Sequence, residues 1–194
     1  MPLALAQTAP PLPPDSATIP PPPPAGLSPE LAEVNSLIRG GQYAAAASRL
    51  DAMLAKDPRN AQLRFMKAVA LNEQGQADNA RDMYQALTQD YPELPEPYNN
   101  LAVILAQQGR YADARTALEL ALKARPDYGI AHENLGDVYA RMAGLEYGRS
   151  LEIDRTNSSA QKKLALMKDL YAVLPSSVVP NAAPPRPATP RRTK

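Results

Sequence analysis

One interval, 34 residues, relates several columns of identical residues along this chain and constrains its fold more than any other feature. The columns contain glycine, alanine, leucine and proline, namely Gly41, Gly75 and Gly109; Ala46, Ala80 and Ala114; Leu37, Leu71 and Leu105; and Pro58, Pro92 and Pro126. An internal period of this size is typical of proteins built from stacked repeats. The period divides the chain into units 27–60, 61–94 and 95–128, and a fourth unit begins at Gly129.

Each unit has the pattern of two helices, which is clearest in the third. Pro95 begins the first helix, where a proline costs no hydrogen bond, and apolar residues then recur at helical spacing. Gly109 can take the left-handed conformation that ends a helix, and Pro126 stops the second helix. A single hairpin cannot bury its own apolar stripe, whereas stacked hairpins can. We therefore expect an all-α fold, an α-solenoid of helix-turn-helix repeats.

These residues resemble the tetratricopeptide repeat family. The third and fourth units carry the residues of its pattern, namely Tyr98, Leu101, Ala102, Leu105, Ala114, Leu118 and Pro126, then His132, Leu135, Gly136 and Tyr139. The second unit departs from the pattern at Arg64 and Lys67, and the first is weaker, as expected of a terminal repeat facing water. The resemblance covers about three quarters of the chain and implies the fold, but for function it implies only that the chain binds something.

The fourth unit, residues 129–157, is shortened at the position of the turn between its helices. We expect residues 129–153 to form one helix, either continuous or sharply kinked, with Gly144 and Gly148 as weak points. After an N-cap at Ser158-Ser159, residues 158–174 are predicted to form a capping helix. An amphipathic membrane helix is the less favoured alternative for this stretch.

Proline separates two tails from this repeat block, residues 27–174, because 17 of the 22 prolines fall in residues 1–29 or 175–194. Residues 1–26 carry one charge, Asp15, and are predicted to be a disordered proline-rich spacer. A ligand for an aromatic groove is the alternative. Residues 175–194 form a basic, proline-rich tail, which we expect to be solvated and disordered; weak contact with anionic lipid or polyanion is the alternative.

Ala4-Leu5-Ala6 has the form of a signal-peptidase site, although no charged or long apolar stretch precedes it. It is either a chance match or the end of a signal peptide that begins upstream of Met1, and we favour the second. The layout is similar to that of small exported bacterial tetratricopeptide repeat proteins. Export to the periplasm is therefore the expected location, with the cytoplasm as the alternative.

Composition argues against several classes of function. The chain has no cysteine and one histidine, His132, which excludes thiolate and multi-histidine metal sites. His132 stands where the family has an aromatic, so we interpret it as a packing residue. Lys and Arg number 21 against 20 Asp and Glu, so nucleic acid is not an expected partner. No apolar run is long enough for a membrane span, and we expect neither a cofactor nor an enzyme.

In tetratricopeptide solenoids the first helix of each pair lines a concave groove, so the resemblance assigns the binding residues by their offsets. These are Leu31, Asn35, Arg39, Phe65, Val69, Asn72, Asn99, Val103, Gln107 and Asp137. Asparagines there can hydrogen-bond an extended peptide, with Phe65 and Val103 as a shallow apolar pocket beneath it. Phe65 is expected to be exposed, so that Phe65→Ala would cost the fold little. The alternative is that these residues are only solvated helix faces.

The function expected from the sequence is therefore a non-enzymatic scaffold or adaptor that binds a protein or peptide in its groove. Two alternatives remain: a structural module that joins copies of itself through exposed solenoid ends, and an accessory protein of the cell envelope that binds lipid or polyanion through its basic tail.

Overall fold

The protein is described by a computed structural model, in which residues 28–173 are placed. Within that range every regular element is a helix. The helices are α1 Pro29–Arg39, α2 Tyr43–Leu54, α3 Ala61–Glu73, α4 Ala77–Asp90, α5 Pro95–Gln107, α6 Tyr111–Ala124, α7 Gly129–Ile153 and α8 Ser158–Val173. The predicted all-α solenoid is confirmed. The predictions for residues 1–26 and 175–194 lie outside the described residues.

The glycine column forms the turn inside each of the first three hairpins. Gly41, Gly75 and Gly109 have φ angles of +70°, +78° and +75°, in the left-handed region that residues with a Cβ rarely adopt. In each turn the amide that follows the glycine donates back to a leucine carbonyl, as from Arg110 to Leu105 at 2.9 Å. This hydrogen bond satisfies one of the last carbonyls of the preceding helix. The 34-residue spacing of glycine is thus a spacing of identical turns.

The core is divided into three clusters, and each cluster joins one hairpin to the first helix of the next hairpin. The first cluster lies between α1, α2 and α3, the second between α3, α4 and α5, and the third between α5, α6 and α7. Helix α3 therefore uses two faces, with Leu63 and Met66 in the first cluster and Phe65 and Ala68 in the second. This sharing is what makes stacking obligatory, since no hairpin has a core of its own.

Ion pairs replace apolar packing where the second unit departs from the repeat pattern. Arg64 Nη1 lies 2.6 Å from Asp90 Oδ2, and Lys67 pairs with Asp51 on the preceding hairpin. The Arg64 guanidinium also lies 5.9 Å from the centre of the Tyr91 ring. These contacts place both charged groups at the surface, so the departures do not bury an unpaired charge.

Helix α7 runs through the fourth unit without a turn, as one helix of 25 residues. The expectation of one helix over residues 129–153 agrees with these bounds. Gly144 was predicted to be a weak point, but it is buried, and a Cβ added there would overlap the hydroxyl of Tyr171. Its role is to let α8 approach α7 closely.

Helix α8 packs against α7, and polar groups of its side chains form specific contacts at the interface of the two helices. The Tyr171 hydroxyl donates to the Ala140 carbonyl at 2.8 Å, and the Arg141 guanidinium lies 4.6 Å from the centre of the Tyr171 ring. The predicted cap at Ser158-Ser159 is wrong by one residue, because Asn157 Oδ1 accepts from the amide of Ala160 at 3.0 Å.

Candidate functional site

We call the surface formed by α1, α3, α5 and α7 the first-helix face, since it consists of the first helix of each unit. The structure divides the ten predicted groove residues, which all lie on these helices, into two groups. Six of them keep exposed surface, namely Leu31, Asn35, Arg39, Asn72, Gln107 and Asp137. The other four are buried, namely Phe65, Val69, Asn99 and Val103. The prediction that all ten line an open groove therefore needs correction.

Phe65 was predicted to be an exposed binding residue, and that prediction is wrong. Its side chain is 0% exposed and packs against Tyr84, with the ring centres 5.6 Å apart. Arg64 stands at the position where the family has its packing aromatic, and it turns outward to pair with Asp90. Phe65, the next residue, belongs to the core between α3, α4 and α5, and Asn99, one period later, is buried at the same offset.

Val69 and Val103 are also corrected from exposed groove residues to buried ones. Val69 lies in the same cluster as Phe65, together with Ile104 of the next first helix. Val103 is 1% exposed. Neither side chain is available in this structure as an open apolar pocket.

Asn99 is part of a chain of buried polar groups, which we call the asparagine chain and which consists of Tyr84, Asn100, Asn99 and Asn134. Asn134 Nδ2 donates to Asn99 Oδ1 at 2.8 Å, and Asn99 Nδ2 donates to Asn100 Oδ1 at 3.2 Å. Asn100 Nδ2 donates to the Tyr84 hydroxyl at 3.0 Å. The chain thus connects α4, α5 and α7, and it brings together side chains from two neighbouring first helices.

Of these asparagines, only Asn99 is among the predicted groove residues. Asn100 and Asn134 are separated by 34 residues, the period of the chain, so the same alignment of units contains the signal that would have found them. Burial raises the pKa of Tyr84 far above its ordinary value, although the hydrogen bond from Asn100 acts in the opposite direction. The Tyr84 hydroxyl therefore remains protonated and neutral. In this form it accepts the hydrogen bond from the Asn100 amide inside the protein.

Glu96 adds a buried carboxylate near the start of α5. It is 5% exposed, and its Oε1 accepts from Arg125 Nη2 at 2.9 Å. The Arg125 guanidinium lies over the Tyr128 ring, 4.1 Å from its centre. The other oxygen, Glu96 Oε2, is buried and has no hydrogen-bond partner among residues 28–173. A buried acceptor of this kind is stabilised when a donor is supplied to it.

Among the described residues, furrows also lie between neighbouring second helices. One, of about 360 Å³, lies between α4 and α6, and its floor is formed by Tyr98, Leu101 and Leu105 of α5. The other, of about 520 Å³, lies between α2 and α4 above Lys67, Leu71 and Gln74 of α3. These furrows arise from the spacing of the helices and not from a sequence motif.

Asp137 and His132 are the titratable groups of α7 that the sequence analysis discussed. Burial raises the pKa of Asp137, and the charge of Glu133 raises it further, while Arg141 acts in the opposite direction. His132 was interpreted as a packing residue, but its side chain is exposed, and its Nε2 lies 2.9 Å from the Pro126 carbonyl oxygen. Among residues 28–173 there is no cluster of acidic or histidine side chains suited to a metal ion, and no helix suited to crossing a membrane.

Comparison with known families gives two matches, both described as tetratricopeptide repeat. They cover residues 31–95 and 71–136. The chain belongs to the tetratricopeptide repeat family. Repeats of this family form scaffolds for interactions between proteins and are generally not catalytic. This chain is accordingly a protein–protein interaction scaffold at the level of its family.

Among curated proteins, an 81-residue stretch is 37% identical to protein O-mannosyl-transferase TMTC1 of Mus musculus. The stretch covers 41% of this chain but only 9% of that protein.

Solved structures share the fold at low identity. One described as the crystal structure of MamA protein has a TM-score of 0.53 at 18% identity, over 74% of this chain and 81% of that one. A tetratricopeptide repeat protein from Parabacteroides merdae has a TM-score of 0.54 at 17% identity, over 74% of this chain and 59% of that one. At such identities the similarity concerns the fold alone.

Proposed function

We propose that the first-helix face across α3, α5 and α7 binds an extended segment of a partner protein. The observation that supports this proposal is that polar side chains with exposed surface recur on these three neighbouring first helices, namely Asn72, Gln107 and Asp137. Each side-chain amide offers a donor and an acceptor, which match the carbonyl and N–H of a peptide backbone. A ladder of such amides therefore suits a partner held mainly through its main chain.

The exposed residues of the same face supply the rim of the proposed site. Asn72 on α3, Gln107 on α5 and Asp137 on α7 retain accessible surface. Asn72 and Gln107 are uncharged, and Asp137 is acidic. The rim therefore favours a partner segment whose side chains form hydrogen bonds and are not strongly acidic. Phe65 is not part of this site, because it belongs to the core.

Site-specific photocrosslinking in the full chain tests this proposal. A photoreactive amino acid is placed at Asn72 or Gln107 on the first-helix face, and, as matched controls, at Gln85 or Leu120 beside the α4–α6 furrow. We expect the same partner band from extracts of the native host at both first-helix positions and its absence at the two controls. Crosslinks from Gln85 and Leu120 alone would show that partners bind the second-helix side instead.

A quantitative test follows once a crosslinked partner has been identified. The double change Asn72→Ala and Gln107→Ala should weaken its binding by about 1–2 kcal/mol, since each removes one exposed hydrogen-bonding group. The matched double change Gln85→Ala and Gln89→Ala, on α4, should leave the affinity unchanged. Measured heats of binding to the full chain distinguish these outcomes.

A further inference from the structure

Helix α7 has 25 residues, whereas α5 and α6 have 13 and 14, so its second half extends beyond the hairpin on which it packs. Met142 is the last apolar residue of α7 that packs against the third cluster. Residues 143–153 continue about 16 Å past it, at 1.5 Å per residue. This extension contacts α8 at Gly144 and Tyr147. It nevertheless leaves Leu145 and Ile153 exposed.

A stripe along this part of α7 has the spacing of a coiled-coil seam. Its members are separated alternately by three and four residues, and we call them the α7 seam: Tyr139, Met142, Glu146, Arg149 and Ile153. This 3.5-residue repeat keeps one side of a helix against a partner helix. At 100° per residue the five positions fall within an arc of about 80°, on the side of α7 away from Gly144 and therefore from α8. Four of the five side chains are exposed, and Met142 is half-buried.

We propose that the α7 seam is the contact between two copies of this chain, which pair antiparallel about a two-fold axis between Tyr147 and Gly148. In such a pair, residue i of one copy faces residue j of the other, and j faces i. Glu146 then faces Arg149 at the centre, twice. Met142 faces Ile153 at each end. The proposal goes beyond the proposed function and does not depend on it, and it narrows the alternative in which copies join through exposed solenoid ends.

The charges of the seam favour this arrangement over the other ways of pairing the same helix. Within one chain, Glu146 Oε1 and Arg149 Nη1 lie 2.6 Å apart, and both side chains are largely exposed. In the antiparallel pair each of these charges also meets its opposite on the second copy. In a parallel pair Glu146 would face Glu146 and Arg149 would face Arg149, which is unfavourable. A shift of the antiparallel register by seven residues would place Arg149 opposite Ile153 or Tyr139 and leave the charges unmatched.

The length of the extension also fits a second copy. Helix α7 ends at Ile153, and in the proposed pair Ile153 faces Met142, the point at which the third cluster begins. The helix of the second copy therefore ends where the α5–α6 hairpin of the first copy starts. The two solenoids then lie at opposite ends of the seam, and each α8 lies on the outer side of its own α7, so neither obstructs the contact.

A seam of about three helical turns is small for a specific interface, so we expect a weak dimer that forms in the micromolar range. Dimerisation would cover apolar surface at Met142 and Ile153 and would exclude water from the central charges. It would also join two first-helix faces in one particle. A partner with two suitable segments would then bind with avidity, which a single solenoid cannot provide.

Charge substitutions in the full chain test the proposal. Sedimentation of the natural chain over a concentration series should show a mass that rises from 20.9 kDa toward twice that value. Glu146→Arg or Arg149→Glu alone places like charges opposite each other and should raise the dissociation constant at least about tenfold. The double change Glu146→Arg and Arg149→Glu restores opposite charges across the axis and should restore the dimer.

The matched control is Glu119→Arg on α6, which also breaks an ion pair within one helix, with Arg115. It should leave the dissociation constant unchanged. A natural chain that stays monomeric throughout the series would overturn the proposal. A dimer that Glu146→Arg does not weaken, or that the double change does not restore, would show that copies meet elsewhere.

Thiol crosslinking tests the orientation, and the absence of natural cysteine makes it specific. Full chains carrying Met142→Cys and Ile153→Cys are mixed and mildly oxidised. The mixture should give a disulfide-linked dimer. Either variant alone should give little, because the two copies of each position lie about 16 Å apart along the antiparallel pair. A linked dimer from Met142→Cys alone would show a parallel pair and overturn the proposed arrangement.

The same variants distinguish a second copy from other occupants of the seam. If the Ile153→Cys thiol is protected from labelling in a monomer, a segment of the same chain covers the seam, and the proposal fails. These results are independent of crosslinking at Asn72 and Gln107, which lie on α3 and α5. Loss of the dimer leaves the proposed function standing, and loss of those crosslinks leaves the dimer standing.

Discussion

The middle of the solenoid and its C-terminal end stabilise their helices in different ways. Helices α3–α6 bury large side chains completely, among them Tyr84, Phe65 and Leu118. Helices α7 and α8 leave large apolar side chains in water, with Ile153 89% and Leu166 62% exposed. The buried residues of their contact are small, as Gly144 and Ala160 show.

The difference follows from the number of neighbours that each helix has. A helix in the middle packs against its own partner and the adjacent hairpin, so it uses two apolar faces. Helix α8 packs mainly against α7, and specific contacts such as the Tyr171 hydrogen bond to Ala140 hold it there. A unit of the repeat pattern therefore forms a filled apolar core where a further hairpin stacks on it, as in all three clusters.

The largest test of this contrast compares one substitution in each region. Phe65→Ala should lower the free energy of unfolding by about 3–5 kcal/mol, because it leaves a cavity in a filled core. Leu166→Ala, on the exposed side of α8, should change it by no more than about 0.5 kcal/mol. Urea unfolding of the full chain, followed by circular dichroism, measures both. Similar losses for the two variants would mean that the ends are packed as the middle is.

The asparagine chain joins the two regions, and breaking it should have the next largest effect. Asn134→Ala removes the donor to Asn99 and leaves a buried oxygen unpaired, at a cost of about 1–3 kcal/mol. Asn79→Ala, which removes an exposed amide on α4, is the matched control and should be nearly neutral. Hydrogen exchange should show that the amides of α7 lose more protection than those of α3 and α4 in Asn134→Ala. Uniform loss along the chain would argue against a local link.

A pair of glycines within α7 tests how closely the last two helices approach. Gly144→Ala should destabilise the protein by about 1–2 kcal/mol, since the new Cβ would displace the Tyr171 hydroxyl. Gly148→Ala meets no atom within 4 Å and should stabilise it by about 0.5–1 kcal/mol through better helix propensity. Thermal melting distinguishes them, because Gly144→Ala should lower the melting temperature and Gly148→Ala should raise it. In a Tyr171→Phe background the cost of Gly144→Ala should shrink, and an unchanged cost would place the clash elsewhere.

The smallest expected effect concerns the pH dependence of stability, through Asp137 within α7 and Asp154 just after it. The raised pKa of Asp137 means that its unfolded form ionises first as pH rises, so stability falls until pH passes the folded pKa. Asp137→Asn should therefore be slightly more stable than the natural chain at neutral pH and equal to it in acid.

Asp154, just beyond the C-terminus of α7, should make the stability change with pH in the opposite direction. The side-chain hydroxyl of Thr156, together with its backbone amide, lowers the pKa of Asp154. The stabilisation that ionised Asp154 contributes is therefore present at neutral pH. It is lost as the pH falls through the pKa that Asp154 has in the folded protein. Urea midpoints of Asp137→Asn and Asp154→Asn across the acid range should thus diverge from the natural chain in opposite directions. Parallel curves would contradict these assignments.

Much of the fold was predictable because it depends on contacts that recur along the chain. The glycine, leucine and proline columns identified the hairpins, and the helix limits at Pro95 and Gly109 follow from the conformations that these two residues allow or prevent. The missing turn of the fourth unit was visible as a deletion in the same alignment. The close approach of α8 at Gly144 was not visible, because it depends on Tyr171, which lies 27 residues further along the chain.

The sequence by itself determined the all-α repeat architecture, the position of every inter-helix glycine and the family to which the chain belongs, since these depend on local conformation and on a period. Tertiary structure alone decided which side of each helix is buried. A helix turns by about 100° per residue, so the change from Arg64 to Phe65 moves a side chain from the surface to the core, and only the neighbouring helices select between them. For the same reason Asn99, expected to line an open groove, is buried, because the stacking of α7 on α5 brings Asn134 to it.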